Sequence, residues 1–328
     1  MPLTRREAIA AFAGFLKLLT ASPAGAQAAY PTRLITLIVP FAAGGATDLL
    51  ARMVAERLKS GLGATVVVEN RPGAASTVGA AYVAKAAPDG YTLLMATSTT
   101  LAISKTLYKR LPYDPVADFT PITLVAAVPF SLVVNPALPV SSLLELIAYV
   151  KSRPGELSYA SSGNGSPHHL GAEMLKTAAG LDIKHVRYRG SVPAMQDVIG
   201  GHVPLMMVDL QPALPHIRGG KLRVLGVTTA SRVAAAPDIP TLAEAGLPGF
   251  ELVAWQGVVA PAGVPRPIVD RLAREIAALV AAPETRTRLV AIALEPLPGS
   301  TPDSFAAFVK SEVQRWAPIV KASGAVLE

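Results

Sequence analysis

Cysteine is absent from the 328 residues. Structural disulfides, a thiol nucleophile, Cys-ligated zinc and a lipid anchor on an N-terminal Cys are all excluded. Aromatic residues make up only 5 % and charged residues 16 %, against 51 % hydrophobic. Such a chain buries a sizeable core and is not disordered. Basic residues outnumber acidic ones, for a formal net charge of +7. They are scattered, with no run longer than Arg5-Arg6, and no aromatic RNA-binding motif accompanies them. A basic balance can serve nucleic acid, an anionic membrane face or an anionic ligand, and of these nucleic acid is not an expected partner. Beyond the amino terminus no apolar stretch has the length of a membrane span. The length suits two domains or one large α/β domain.

What is present begins with an address. Arg5 and Arg6 form a positive region, Ile9–Leu19 an apolar one, and Ala24-Gly25-Ala26 or Ala26-Gln27-Ala28 a small-residue cleavage site. Residues 1–28 thus read as a signal peptide, with an amphipathic first helix as the alternative. Thr4-Arg5-Arg6 leaves Sec and twin-arginine export equally open. The expected location is the periplasm.

The mature chain alternates short apolar runs with helical stretches. Leu34–Pro40, Thr65–Glu69 and Thr92–Thr97 read as strands. The spacing predicts helices from Thr47-Asp48 to Lys59, with Gly61 and Gly63 as stops, and from Ser76 to Ala87. This β-α-β-α-β order argues a parallel sheet covered on both faces. A second series follows, with strands at Ile122–Val134, Leu157–Ala160, Lys184–Tyr188, Leu205–Val208 and Leu222–Thr228. Helices between them are expected at Ser141–Ser152, His168–Ala179, Val192–Gly200 and Ala213–Gly219. Glu251–Ala260 is a further strand, Arg266–Ala281 an amphipathic helix, and Pro302–Ala322 a closing helix with Thr301 as N-cap and Pro302 at N1. The organisation expected is two lobes joined by crossing strands: residues 29–126 with 254–328, and residues 127–253.

Two loops stand out. Phe41-Ala42-Ala43-Gly44-Gly45-Ala46-Thr47-Asp48 links the first strand to its helix. Its amides and helix start can bind an anion, and two glycines permit close approach. Equally, it is an ordinary βα turn capped by Thr47 or Asp48. No Lys-Ser/Thr follows and the spacing is not GxGxxG, so it is not a nucleotide loop. Ser161-Ser162-Gly163-Asn164-Gly165-Ser166-Pro167-His168-His169 is its counterpart in the second series, able to hold a carboxylate by amides and hydroxyls or to be a capped solvent turn. His169 and Glu173 lie one helical turn apart. Without HExxH or further clustered ligands, a structural hydrogen bond between them is favoured over a metal site. No GxSxG elbow occurs, and His168 and His169 point different ways. Arg187-Tyr188-Arg189-Gly190 and Asp209, at strand ends, serve either a cleft or solvent and helix capping.

PFAAGGATD, ENRPGA, LYKRLPYDP, GSPHHLGAE, VRYRG, PHIRGGKLRVLGVT, PDIPTLAEAGLPGFE and WQGVVAPAGVP follow one another in this order. Together they resemble the Bug family, the periplasmic binding proteins of tripartite tricarboxylate transporters, from about Tyr30 to the carboxyl end. The resemblance implies an α/β, two-lobed, type II-like flytrap with parallel-rich sheets and crossing hinge strands. It implies a small carboxylate ligand (a dicarboxylate, tricarboxylate, acidic amino acid or aromatic acid), handed to a large and a small membrane subunit. It implies no cofactor and no metal, and a monomer. The ligand-binding residues it points to are Phe41, Ala43, Gly44, Gly45 and Asp48 of the first loop, met partly through water, and Ser98 and Thr99 after the third strand. In the second lobe they are Ser161, Ser162, Gly165, Ser166, His169, Gly190 and Asp209. The chain departs from the family at Ser104-Lys105, where many members have Asn-Pro, and at Arg187, where many have Pro. The alternatives to a transport receptor are a ligand sensor for a signalling partner and an α/β hydrolase or lyase.

Overall fold

In the computed structural model residues 30–328 are described; the expected signal peptide at residues 1–28 lies outside them. The first unit is strand β1 (Ile35–Val39), helix α1 (Ala46–Leu62), β2 (Val66–Asn70), α2 (Thr77–Ala84) and β3 (Thr92–Thr97). β1 pairs in parallel with both β2 and β3. The near-continuous apolar strands follow from burial on both faces: Ile35, Leu37, Ile38 and Val39 are all fully buried.

A π-helical turn (Thr99–Ile103) and the short helix α3 (Ser104–Leu107) then lead to β4 (Phe119–Val134), which spans 16 residues. The second series is α4 (Leu143–Lys151), β5 (Ser158–Ser161), α5 (Pro167–Ala179), β6 (Lys184–Arg187), α6 (Ser191–Ile199), β7 (Leu205–Asp209), α7 (Leu210–Arg218) and β8 (Arg223–Val227). The chain returns through β9 (Val253–Pro261), α8 (Arg266–Ala281), α9 (Pro283–Ala291), β10 (Glu295–Pro296) and α10 (Pro302–Ala322).

The strands run in the order β2-β1-β3-β9-β4-β7-β5-β6. Within each series the pairing is parallel; where the two series meet, β9 and β4 are antiparallel to their neighbours. β4 changes partner along its length. Phe119–Pro129 pairs with β9, while Phe130–Val134 pairs with β7, and Ser131–Val134 also with β8. One strand thus carries the chain from one series to the other.

Several sequence expectations need correcting. Gly61 does not stop α1; it lies inside the helix, where an added Cβ would fall 2.0 Å from Oε2 of Glu275 on α8. The stop is Gly63, whose φ of +66° is the left-handed C-cap. Neither Thr47 nor Asp48 caps α1: Gly45 is the N-cap, with no side-chain cap bond. The helical segment from Thr99 to Leu107 and helix α9 were not anticipated, the latter because Pro283–Ala291 carries few apolar residues. Thr301 does cap α10, in a capping box with Ser304.

Candidate functional site

The register along β4 and β9 decides where a site can be. Thr97, the last residue of β3, pairs with Gln256 of β9, and Gln256 pairs with Ala126 of β4. Asp209, the last residue of β7, pairs with Phe130 of β4. β3 is antiparallel to β9, and β9 to β4, so β3 runs with β4. β7 runs against β4. The carboxyl ends of the two series therefore point at each other, separated by the stretch Ala126–Phe130, about 13 Å at the usual rise per strand residue. Ligands of open α/β sheets bind at carboxyl ends of strands. Here two such ends are aimed into one cleft.

From the first series comes the loop Phe41–Gly45. Ala42, Ala43, Gly44 and Gly45 are exposed. Gly44 has φ +92°, so the left-handed backbone there favours glycine. Gly45 has φ −84°, an ordinary value, and an added Cβ at either would meet nothing within 4 Å. The loop is held from behind by Asp48. Its carboxylate accepts from the Gly44 amide (3.1 Å), from Nε and Nη2 of Arg52 (2.9 and 3.0 Å) and from Nδ2 of Asn70 (3.0 Å). Asn70 also donates to the carbonyl of Phe41 at 3.1 Å. Burial opposes the charge of Asp48, but the bonds from Arg52, Asn70 and Gly44 outweigh it and hold the carboxyl below its ordinary value. Asp48 thus shapes the loop and has little left for a ligand. What the loop offers is backbone at the start of a 17-residue helix with no side-chain cap.

From the second series comes Ser161–His169, and here the side chains are engaged with one another. Ser161 Oγ lies 2.6 Å from Nε2 of His185 and accepts from the Gly163 amide at 3.1 Å. Ser162 Oγ meets Nδ1 of His168 at 2.9 Å, and Nε2 of His168 meets Asp209 at 3.1 Å. Ser166 caps α5, accepting from the His169 amide and donating to the carbonyl of Gly163 at 2.7 Å. The Gly165 amide donates to Nδ1 of His169 at 3.1 Å. His169 stacks on His185 with centroids 4.1 Å apart, and Tyr159 stacks on His185 at 5.0 Å. Burial, with the neighbouring His169 and the charges of Arg187 and Lys176, pushes His185 down to about 4; burial likewise lowers His169.

The structure corrects the expected His169–Glu173 hydrogen bond. Their atoms are 4.0 Å apart, and Glu173 instead accepts from the Tyr159 hydroxyl at 2.5 Å and from Lys176 at 2.9 Å. Asp209 sits at the N-cap of α7, but its carboxylate turns to His168 and caps nothing.

A family model described as tripartite tricarboxylate transporter family receptor matches residues 50–325. The chain belongs to this family. It is 40 % identical over 309 residues to Protein BugT of Bordetella pertussis, a match covering 94 % of each chain. Among solved structures, it is 41 % identical to R. palustris Rpa4515 with adipate, with a TM-score of 0.85, over 91 % of this chain and 100 % of that one. It is 35 % identical to MatC from Rhodopseudomonas palustris with bound malate, TM-score 0.81, over 89 % and 100 % of the two chains. The protein is a periplasmic solute receptor of this family on the α/β periplasmic-binding-protein fold, and not an enzyme.

Ala43, Gly44 and Gly45 lie in the loop at the end of β1 and are exposed, Ser162 and Gly190 lie in the loops after β5 and β6 and are half-buried, and Gly165 is buried. Gly165 has φ +70°, and an added Cβ would fall 2.3 Å from Leu107 of α3, a residue of the opposite series. Gly165 is therefore a packing point between the two halves. Gly190 has φ +131° and is the N-cap of α6, again without a side-chain cap. Phe41 is half-buried against the core. Ser98 and Thr99 are buried at the start of the π-helical turn, 0 % and 7 % exposed. A separate groove of about 560 Å³ lies away from the cleft, between α5, the Gly246–Phe250 turn and the end of α10.

Sequence reasoning missed Gln256, His185 and Leu107. A lone Gln inside the apolar run of β9 was the available signal for the first. The others are visible only through register and packing.

Proposed function

We propose that this receptor captures a small carboxylate between its two lobes and delivers it to the large and small membrane subunits of a tripartite tricarboxylate transporter. In this reading residues 29–126 and 254–328 form one lobe and 127–253 the other, with β4 and β9 as the crossing strands, and residues 1–28 direct export to the periplasm. The observation that carries the reading is the convergence of two strand ends across Ala126–Phe130, one ending in the uncapped start of α1. Amides at such a helix start favour an anion. Relatives with adipate and with malate bound support the ligand class.

Ala43, Gly44 and Gly45 supply backbone to one carboxylate in this reading. Ser162 and the Gly190 helix start face it from the second lobe, with exposed Arg187 and Arg189 beside them. Ser161, Ser166 and His169 hold the serine loop in shape. The ligand shifts the open–closed balance by its differential affinity for the closed form.

The test is mass spectrometry of ligand co-purified with the folded protein, followed by a thermal-shift screen of carboxylates. A true ligand at 100 times its Kd adds about 2.7 kcal/mol of stability. A stoichiometric, non-carboxylate ligand displaces the reading.

A further inference from the structure

Gln256 is a buried amide side chain level with the end of β3, where the cleft begins. It lies on β9 directly between Thr97, the end of β3, and Ala126 of β4. Its neighbour Trp255 points to the opposite face, where it packs on Phe305 and Phe308 and donates to Glu312 of α10. Gln256 therefore shares the other face with Thr97, since directly opposed residues of an antiparallel pair lie on one side of the sheet. On that face a chain of hydroxyls runs from Thr97 to Thr100 (3.1 Å) and on to Ser76 (3.1 Å).

Gln256 takes no part in this chain. It is 5 % exposed, and its Oε1 is buried without a hydrogen-bond partner. The hydroxyl of Ser98, the residue after Thr97, is likewise buried and unpartnered. A buried amide left unsatisfied works against folding. Native structures keep few such groups, and each calls for a reason. An apolar side chain of similar size would fit β9 better, because Val258, Val259 and Ala260 in the same strand are fully buried. Stability sacrificed at one polar group within a cleft is the mark of a site shaped for binding.

We infer that Gln256 is a specificity-determining residue that reads the carbon skeleton of the ligand: its amide oxygen accepts from a donor on the ligand, a hydroxyl or an ammonium beside a carboxylate. The inference rests on the carboxylate reading and narrows it to acids bearing a donor substituent. In this orientation the amide oxygen can only accept, so a plain diacid, ionised at pH 7, leaves it unsatisfied; with the amide turned over, Nε2 would donate to a carboxylate and the preference would vanish. A hydroxy or amino acid of the same length satisfies the oxygen. Such a site rejects the analogue lacking the donor, because the buried acceptor is then left unpaired.

The experiment compares wild type with Gln256→Leu, by melting without ligand and by calorimetry with succinate, malate and aspartate, which share one four-carbon skeleton. The expected result is a higher melting temperature for Gln256→Leu without ligand. Wild type should bind malate or aspartate at least tenfold tighter than succinate, and Gln256→Leu should lose that preference while holding succinate within about threefold. Malate against aspartate distinguishes hydroxyl from ammonium. A lower unliganded melting temperature overturns the inference, since the amide would then be structurally engaged. A wild type that binds succinate as well as the other two, or binds none of the three, overturns the assigned class. The carboxylate reading falls separately, if the co-purified ligand is no carboxylate at all.

Discussion

The glycine loop after β1 and the serine loop after β5 hold equivalent places at the carboxyl ends of their strands, yet they are built in opposite ways. The first is exposed from Ala42 to Gly45 and is fixed by one carboxylate behind it, Asp48. The second is tied by at least five side chains of its own and its neighbours: Ser161, Ser162, Ser166, His168 and His169. A loop that presents backbone needs a single strong anchor outside the contact surface. A loop rich in hydroxyls spends them on its own geometry, and its polar character is a poor guide to what touches ligand. The comparison also separates the cations. Arg52 and Arg71, beside the glycine loop, are paired with Asp48 and Glu69. Arg187 and Arg189, beside the serine loop, are exposed.

The most severe way to break the contrast is to remove the single anchor. Asp48→Ala deletes the acceptor of four hydrogen bonds, three of them from Arg52 and the Gly44 amide. Hydrogen bonds to charged groups contribute about 1.5–3 kcal/mol each and do not add fully when they share one acceptor. We expect a net loss of about 3 kcal/mol in urea melts, together with at least a tenfold loss of ligand affinity. An unchanged affinity would show that the loop keeps its shape without Asp48.

Gly165→Ala tests the point where the halves touch. The new methyl meets Leu107, itself fully buried, and the φ of +70° disfavours any side chain. We expect a loss of about 2 kcal/mol. Leu107→Ala in the same chain should restore part of it by making room. Failure of that second change to restore anything would locate the strain in the backbone alone.

Between about pH 6.5 and 4 the serine loop should weaken where the glycine loop, whose Asp48 is held below its ordinary value, does not. His185 is held at about 4, below the ordinary histidine value near 6.5. Between those values the unfolded chain takes up a proton that the folded chain refuses, so stability rises with pH across that window and is fully present above about 6.5. With the ring only half withdrawn from solvent, the contribution is about 2 kcal/mol. His185→Phe keeps the stack and removes the titration. Its melting free energy should fall less than that of wild type between pH 7.5 and 4.5, by about that amount. Parallel pH curves for the two proteins would assign the acid sensitivity elsewhere.

Much of this was legible in the sequence. Strands such as β1, β3 and β7 were readable because each is a largely apolar run flanked by turn residues, and Thr92–Thr97, Arg266–Ala281 and Pro302–Ala322 match their elements end to end. Both cleft loops were readable as glycine- or serine-rich βα connections. Contacts set by register were not. Ser161 finds His185 because β5 and β6 pair Ser161 with Arg187 and Tyr159 with His185, a matter of strand alignment that no local pattern encodes. The pairing of His169 with Glu173 failed for a related reason: one-turn spacing makes contact available, but Tyr159 and Lys176 reached the carboxylate first. Gly61 looked like a stop and is instead a gap for Glu275, 214 residues away by sequence number.

The smallest effect separates the two glycines of the first loop. Gly44 carries φ +92°, whereas Gly45 carries −84° with ψ 175°, an extended conformation open to any residue. Both have open space where a Cβ would stand. Strain therefore belongs to Gly44 alone. Gly44→Ala should lower stability by about 1 kcal/mol, and Gly45→Ala should leave it unchanged or slightly raised, because alanine restricts the unfolded chain. Binding should sort them differently. A side chain at Gly45 stands at the N-cap of α1, over the amides that the proposed carboxylate approaches. Gly45→Val should remove most affinity while the chain stays folded, and small-angle scattering with saturating ligand should show no compaction. If the Gly45 variant compacts as wild type does, the glycine loop is a turn and the ligand is held from the second lobe.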